Sequence, residues 1–251
     1  ANKCDGVIVP TYSTEEYLRM IGVKTPTFVQ PTGIEYHKFQ EVQEADVEVL
    51  REKLQLSNEK VFVSVSRLSN EKNIDFMIEA VDALRRETDV PFRFLMIGDG
   101  HQKDRLQKKI DDLGLQQHFT LVGAVPPDEM ATWYRLGDAF LFASISETQG
   151  MVVLEAMAAG LPVVAVRSSG IEDVVRHGFN GFKTPEKQDQ WRAQVKKLLE
   201  DDELRDKLSA QALEFAGDYS VEQFASDVRT IYATTLAMFA KKRKGAGHQA
   251  E

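Results

Sequence analysis

From residue 58 to residue 216 the chain alternates short apolar runs with stretches of helical period, and this alternation constrains its fold more than any other feature. The runs are VFVSVSRL (61–68), FRFLMIGDG (92–100), FTLVGAV (119–125), DAFLFAS (138–144), LPVVAV (161–166) and GFKT (181–184). Nearly every position in them is apolar, as in strands covered on both faces, and single helices between such strands imply parallel neighbours. In NIDFMIEAVDALRRE, Ile74, Met77, Ile78, Val81 and Leu84 recur at steps of three and four, which makes one buried helical stripe. The pattern predicts an α/β domain over 58–216, built as a doubly wound, Rossmann-like parallel sheet.

The flanks read differently. Residues 1–36 carry a strand (GVIVP), a helix (STEEYLRMI, capped by Ser13 or Thr14) and a second strand-like run (TFVQPTGI). Residues 37–57 form an acidic linker with helical content. Within 217–240, Val221, Phe224, Val228, Ile231, Tyr232, Leu236 and Phe239 fall on one helical face. Such a stripe must be buried against this domain, a neighbouring domain or a membrane surface. The last stretch, 241–251, has no pattern and is expected to be a disordered basic tail. There is no internal repeat.

Composition narrows the classes. The 251 residues are 43% hydrophobic and 28% charged, which excludes a disordered, collagenous or disulfide-stapled chain. A net charge of −8 argues against a general electrostatic grip on nucleic acid. Cys4 is the lone cysteine, so no intrachain disulfide forms and a cytoplasmic setting is expected. No apolar run approaches the ~20 residues that span a bilayer. The first residues lack a signal-peptide layout and an initiator Met, and they read as the middle of a longer protein.

Ligands of an open parallel sheet bind outside the carboxyl ends of its strands, so the segments that follow the strands carry the candidate chemistry. SRLSNEKN supplies Arg67 and Lys72, a planar fork and a compact charge suited to phosphate. An isolated loop cation is ordinarily just solvated; two at one strand end point to a ligand. Gly150 precedes the helix MVVLEAMAAG, whose N-terminus offers free N–H groups to a phosphate or sugar. Glu147 faces the cleft from the loop before that helix. Glu155 sits among Val152, Val153, Leu154, Ala156 and Met157, and an acid in such company requires a specific hydrogen-bond partner. Ribose hydroxyls are a natural one; an exposed Glu on a half-buried helix is the plainer alternative. The GDG that begins at Gly98 lacks the third glycine of a dinucleotide fingerprint and reads as a tight turn near a base or ribose. The five histidines and single cysteine show no metal-ligand spacing. Neither a G-x-S-x-G elbow nor a Walker loop is present.

The block SETQGMVVLEAMAAGLPVVA, with seven residues between Glu147 and Glu155, resembles the signature of group 1 glycosyltransferases. These are retaining, nucleotide-sugar-dependent enzymes of the GT-B fold. SRLSNEKN, MIGDG, LVGAV and SGIEDVVRHGFNGF follow that family's order and spacing, and SETQG is similar to bacterial enzymes that glucosylate diacylglycerol. The resemblance implies that the chain is the donor-binding half of a GT-B fold. It implies that Arg67 and Lys72 hold the donor diphosphate and that Glu155 binds the ribose. Glu147 and the backbone N–H groups around Gln149, Gly150 and Met151 would contact the donor sugar, and the loop from Gly123 to Val125 would border the base. The resemblance also implies no bound metal, because the two cations and the helix N-terminus do that work, and no cofactor, the nucleotide sugar being a substrate.

The glycine-rich loop and histidine of the family's acceptor-binding domain do not occur in this sequence. Residues 1–36 then resemble that domain's last strand and helix with the crossover, and 217–240 a helix that returns to it. The expected activity is hexose transfer, with a UDP-linked donor, to an unidentified lipid, glycan or small-molecule acceptor. Full activity would require the N-terminal domain. A binding module without turnover and a GT-B nucleotide-sugar epimerase are the alternatives. The KKRK cluster after the last helix adds the expectation of weak peripheral contact with an anionic membrane face.

Overall fold

Two parallel three-residue strands open the structure, β1 (Val7–Val9) and β2 (Thr27–Val29), joined by α1 (Tyr12–Met20). The structure is a computed structural model that describes residues 1–247, with Phe239 and 241–247 as backbone only. Thr11, not Ser13 or Thr14, caps α1: its extended backbone leaves the hydroxyl to accept from the Thr14 N–H at 3.3 Å. Ser13 and Thr14 already lie inside the first turn, where a hydroxyl cannot perform that function.

Residues 35–218 form the larger of two compact units. Its elements are α2 (Tyr36–Gln40), α3 (Glu44–Lys53), β3 (Lys60–Val65), α4 (Ile74–Leu84), β4 (Phe92–Ile97), α5 (Lys103–Asp112) and β5 (Phe119–Gly123). They continue with α6 (Met130–Arg135), β6 (Ala139–Phe142), α7 (Met151–Ala158), β7 (Val163–Val166), β8 (Gly181–Thr184), α8 (Gln188–Glu200) and α9 (Asp202–Gly217). The stretch expected to be a linker supplies α2 and α3, which bury Phe39, Val47 and Leu50.

Six strands make one sheet in the order β5-β4-β3-β6-β7-β8, parallel throughout. Val63 on β3 lies beside Leu95 on β4 and Phe140 on β6, and all three are buried. The five stripe residues of α4 are buried as well, and each removes apolar surface worth ~1.5–3 kcal/mol. Phe76 on the same helix meets Trp191 of α8 edge to face, with ring centroids 5.6 Å apart. At its start, β6 is tied to β3 by Asp138, whose carboxylate accepts from the Val61 N–H at 2.7 Å.

The strands stop earlier than their apolar runs suggest. β3 ends at Val65 and β4 at Ile97, because the chain turns at Gly98 with φ +133°. A Cβ at Gly98 would lie 1.9 Å from the Ser66 carbonyl oxygen, so only glycine lets the two strand ends approach. In HGFNGF, buried Asn180 accepts from the Arg176 N–H at 2.8 Å and donates to the Val174 carbonyl at 3.0 Å, folding the turn that delivers β8.

The second unit joins residues 1–34 with the chain from Tyr219 onward. Its last helix, α10 (Val221–Gly247), half-buries Phe224, Val228 and Ile231 but leaves Val221, Tyr232 and Leu236 exposed. The single predicted stripe is thus split. The helix also runs through residues 241–247, where a disordered tail was expected, since Lys, Arg and Ala propagate a helix well past its apolar face. Residues 248–251 of that tail, and the side chains of the KKRK cluster, lie outside the described residues.

Candidate functional site

The strand order reverses between β3 and β6. From β3 the chain departs through α4 towards β4, and from β6 through α7 towards β7, on the opposite side. The connections beyond these two carboxyl ends run to opposite sides of the sheet, and the crevice at such a reversal is where these sheets bind ligands.

The first loop leaves β3 under backbone control. Its Ser66 N–H donates to the Ile97 carbonyl and its Leu68 N–H to that of Asp99, both at 3.0 Å. A 3-10 turn over Asn70–Lys72 then ends at Asn73 in the left-handed region (φ 55°). The second loop, after β6, docks directly on that turn. The Ile145 N–H and the Ser144 hydroxyl both donate to the Glu71 carbonyl, at 3.0 and 3.2 Å. This places Lys72 Nζ 2.9 Å from Glu147 Oε2, with the two side chains only 15% and 20% exposed. The ring of Phe142 lies 6.0 Å from the ammonium. An ammonium has three protons to donate, so Lys72 retains donors after bonding Glu147.

Arg67 is held quite differently. Its side chain is 80% exposed and meets Glu71 at 3.4 Å. The Ser69 hydroxyl donates to the same carboxylate at 2.6 Å and, with backbone N–H donation, holds it below the usual range. The two cations therefore share a loop while Lys72 alone is fixed against Glu147.

Glu147 is also braced through its backbone. Its carbonyl accepts from the Ser169 hydroxyl at 2.9 Å and the Gly170 N–H at 3.0 Å, from the loop that follows β7. Gly150 opens α7 at φ 68°, and a Cβ there would come within 2.9 Å of the Ile171 side chain. The N-cap residue, Gly150, has no side chain to offer the first N–H groups of α7. Gln149 is buried and donates to the Met151 sulfur at 3.1 Å.

Glu155 lies further along α7. The Tyr134 hydroxyl, on α6, donates to its Oε2 at 2.9 Å, which supplies the specific partner an acid in an apolar helix requires. Burial pushes the Glu155 carboxyl above the usual range; the Tyr134 bond and the Lys38 charge oppose that, and the Glu35 charge adds to it. Lys38 itself donates to the Pro127 carbonyl at 2.8 Å, tying α2 to the loop after β5. In that loop Gly123 has φ 90° and its carbonyl accepts from the Gly98 N–H at 2.8 Å; Val125 is half-buried beyond it.

Thus the ends of β3, β4 and β5 converge through Ser66, Gly98 and Gly123, and Lys72 meets Glu147 across the switch point. Sequence reasoning missed Tyr134, Lys38 and the Ser169–Gly170 brace. The brace follows a strand end, so the same rule points to it; nothing local marks Tyr134 or Lys38. Among the described residues no group of three or more His, Cys, Asp or Glu could hold a metal ion, and no helix is long and apolar enough to cross a membrane.

The strand order and its crevice define a doubly wound, Rossmann-like domain, the kind that builds each half of a GT-B fold. More particularly, the chain belongs to the group 1 glycosyl transferases, whose family model matches residues 46–215. Among curated relatives, alpha-monoglucosyldiacylglycerol synthase of Streptococcus pneumoniae is 38% identical over 165 residues, which is 64% of this chain and 37% of that enzyme. The enzyme of the same name from Acholeplasma laidlawii is 30% identical over 244 residues, 95% of this chain and 60% of its own length. The chain thus spans less than two thirds of either. HepE from Anabaena, solved in complex with UDP and glucose, superposes with a TM-score of 0.84 at 24% identity, covering 93% of this chain and 65% of that one. Sucrose-phosphate synthase from Thermosynechococcus elongatus gives 0.81 at 23%, covering 94% and 60%.

Proposed function

We propose that this chain is the donor-binding half of a retaining glycosyltransferase that moves a hexose, glucose in the first instance, from a UDP-linked donor to an acceptor hydroxyl. In that reaction the bond from the sugar C1 to the β-phosphate oxygen breaks and a bond from C1 to the acceptor oxygen forms. The hydroxyl proton leaves with the nucleoside diphosphate. Arg67 and Lys72 stabilise the negative charge growing on the diphosphate, Lys72 as a donor already fixed and Arg67 as one that is ordered when the donor binds. Glu147 and the N–H groups around Gln149, Gly150 and Met151 hold the sugar, Glu155 the ribose, and Gly98, Gly123 and Val125 the region of the base.

One observation carries this reading: the Lys72–Glu147 pair, 2.9 Å apart and largely buried, at the switch point and ahead of the α7 N-terminus that begins at Gly150. A lysine with remaining donors beside an acid suits a ligand that is anionic at one end and hydroxyl-rich at the other. The named relatives glucosylate a diacylglycerol lipid, and HepE was solved with UDP and glucose, which supports the donor choice and a lipid acceptor. The acceptor site belongs in this reading to a further domain. A cytoplasmic location with peripheral contact at an anionic membrane face completes it; cosedimentation with vesicles that does not depend on anionic lipid would remove that last element.

Isothermal titration of the 251-residue chain tests the donor site. UDP or UDP-glucose should bind, and Arg67→Ala with Lys72→Ala should abolish the signal. Unchanged affinity in the double variant would overturn the assignment.

A further inference from the structure

Tyr134 is a fully buried side chain that reaches a candidate ligand-binding carboxylate. Its ring is clamped by Phe39, edge on at 5.7 Å, and by Phe140 at 5.8 Å. A ring held on two sides presents its hydroxyl along one direction, and that hydroxyl meets Glu155 Oε2 at 2.9 Å. Among the described residues no other group donates to the Glu155 carboxylate. Glu155 is half-buried, whereas Tyr134 is completely enclosed, so the tyrosine is the anchor and the acid the part that can meet a ligand.

The chemistry of the anchor matters. A carboxylate has roughly four lone-pair sites, and one neutral hydroxyl occupies a single site without cancelling the charge. An Arg or Lys in its place would neutralise the acid and compete with weak donors. A phenol instead leaves the carboxylate charge uncancelled by any cation and its remaining lone pairs open to two vicinal hydroxyls. The buried phenol keeps its own proton, because burial and the adjacent Glu155 charge both push its pKa upward.

We propose that Tyr134 is a positioning residue for nucleotide recognition: its clamped hydroxyl fixes Glu155 Oε2, so that the other carboxylate oxygen is left to accept from the ribose 2′- and 3′-hydroxyls. The proposal rests on the ribose role given to Glu155 above. Selectivity for the ribose thus depends on a residue of α6 that the nucleotide does not touch.

The test is titration of the full chain with UDP and with 2′,3′-dideoxyuridine 5′-diphosphate, in the wild type and in Tyr134→Phe. The wild type should prefer UDP by about tenfold or more, the order expected for a charge-assisted hydrogen bond. Tyr134→Phe keeps the ring between Phe39 and Phe140, and a thermal melt checks that it folds. It should shrink the preference to about threefold or less, leaving affinity for the dideoxy nucleotide within about twofold of wild type. Tyr134→Met also lacks the hydroxyl and gives the same readout should the phenylalanine variant unfold. Undiminished preference in both variants would overturn the positioning role while the Glu155 assignment stands. Equal weakening of both nucleotides would reduce Tyr134 to a core residue. A wild type that does not distinguish the two nucleotides would overturn the Glu155 assignment, and this proposal with it.

Discussion

Glu147 and Glu155 lie eight positions apart on either side of one helix start, yet they are held by opposite means. Glu147 sits on an irregular loop whose backbone is fixed by Ser169 and Gly170, and its carboxylate meets the Lys72 ammonium. Glu155 sits on a regular helix and meets a neutral, enclosed phenol. In the first region charge is balanced within the protein, so an incoming anion has to share Lys72. In the second the negative charge stays on the acid, and burial works against it. The same residue type thus serves one position as a counter-ion and the other as an acceptor for hydroxyls.

The sharpest way to break the comparison is to remove the charge from the first region. Lys72→Ala leaves a largely buried carboxylate unpaired and deletes the fixed donor, so UDP affinity should fall by about 100-fold. Arg67→Ala removes an exposed side chain that has to be ordered before it can act, and should cost about tenfold or less. Titrating each single variant separates the two; equal losses would show that the fixed geometry of Lys72 confers no advantage.

A smaller effect, of opposite sign, is expected at Glu155. Because its folded pKa is raised, the folded state binds the proton more tightly than the unfolded one between the ordinary value of 4.5 and the raised value. Stability therefore declines as pH rises through that window, and the full penalty applies above it. Glu155→Gln removes the titration but keeps an amide oxygen for Tyr134. Urea denaturation should show the variant gaining on wild type as pH rises from about 4 and then levelling off. A variant that loses ground as pH rises would mean that the carboxylate is favoured by its surroundings, which would erase the contrast with Glu147.

Much of this arrangement is legible in the amino-acid sequence. The α4 stripe and the six strands follow from apolar spacing, and the switch-point rule leads to Lys72, Glu147 and Gly150. Local pattern misleads where tertiary contact overrides it. The strand expected over 61–68 stops at Val65, because at Ser66 the chain closes against Gly98. Tyr134 is invisible for a related reason. WYR reads as an ordinary half-apolar helix, and the partner of the phenol lies 21 residues away, brought there by packing alone. Partner choice across such distances leaves no trace in spacing, whereas loop chemistry at strand ends does.

Asp75 supplies the mildest test, because it is paired like Glu147 but lies nearer to water. It accepts from both Arg105 Nη atoms, at 2.8 and 2.5 Å, and from Lys109 at 2.9 Å, and its side chain is 37% exposed. The Arg105 bond is the main cause of its lowered pKa, from 3.8 to about 2. A depressed acid contributes stability that is present above its unfolded value and lost as pH falls through the folded one. Solvent screening cuts that contribution, so Asp75→Asn should cost less than about 1 kcal/mol near neutral pH. The deficit should close as pH approaches about 2, and it should shrink in high salt. Denaturation midpoints at low and high salt give both readings. A salt-independent loss well above that bound would show that exposure does not divide the ion pairs of this molecule. In that case the Lys72–Glu147 pair would owe its distinction to its position at the switch point and not to its burial.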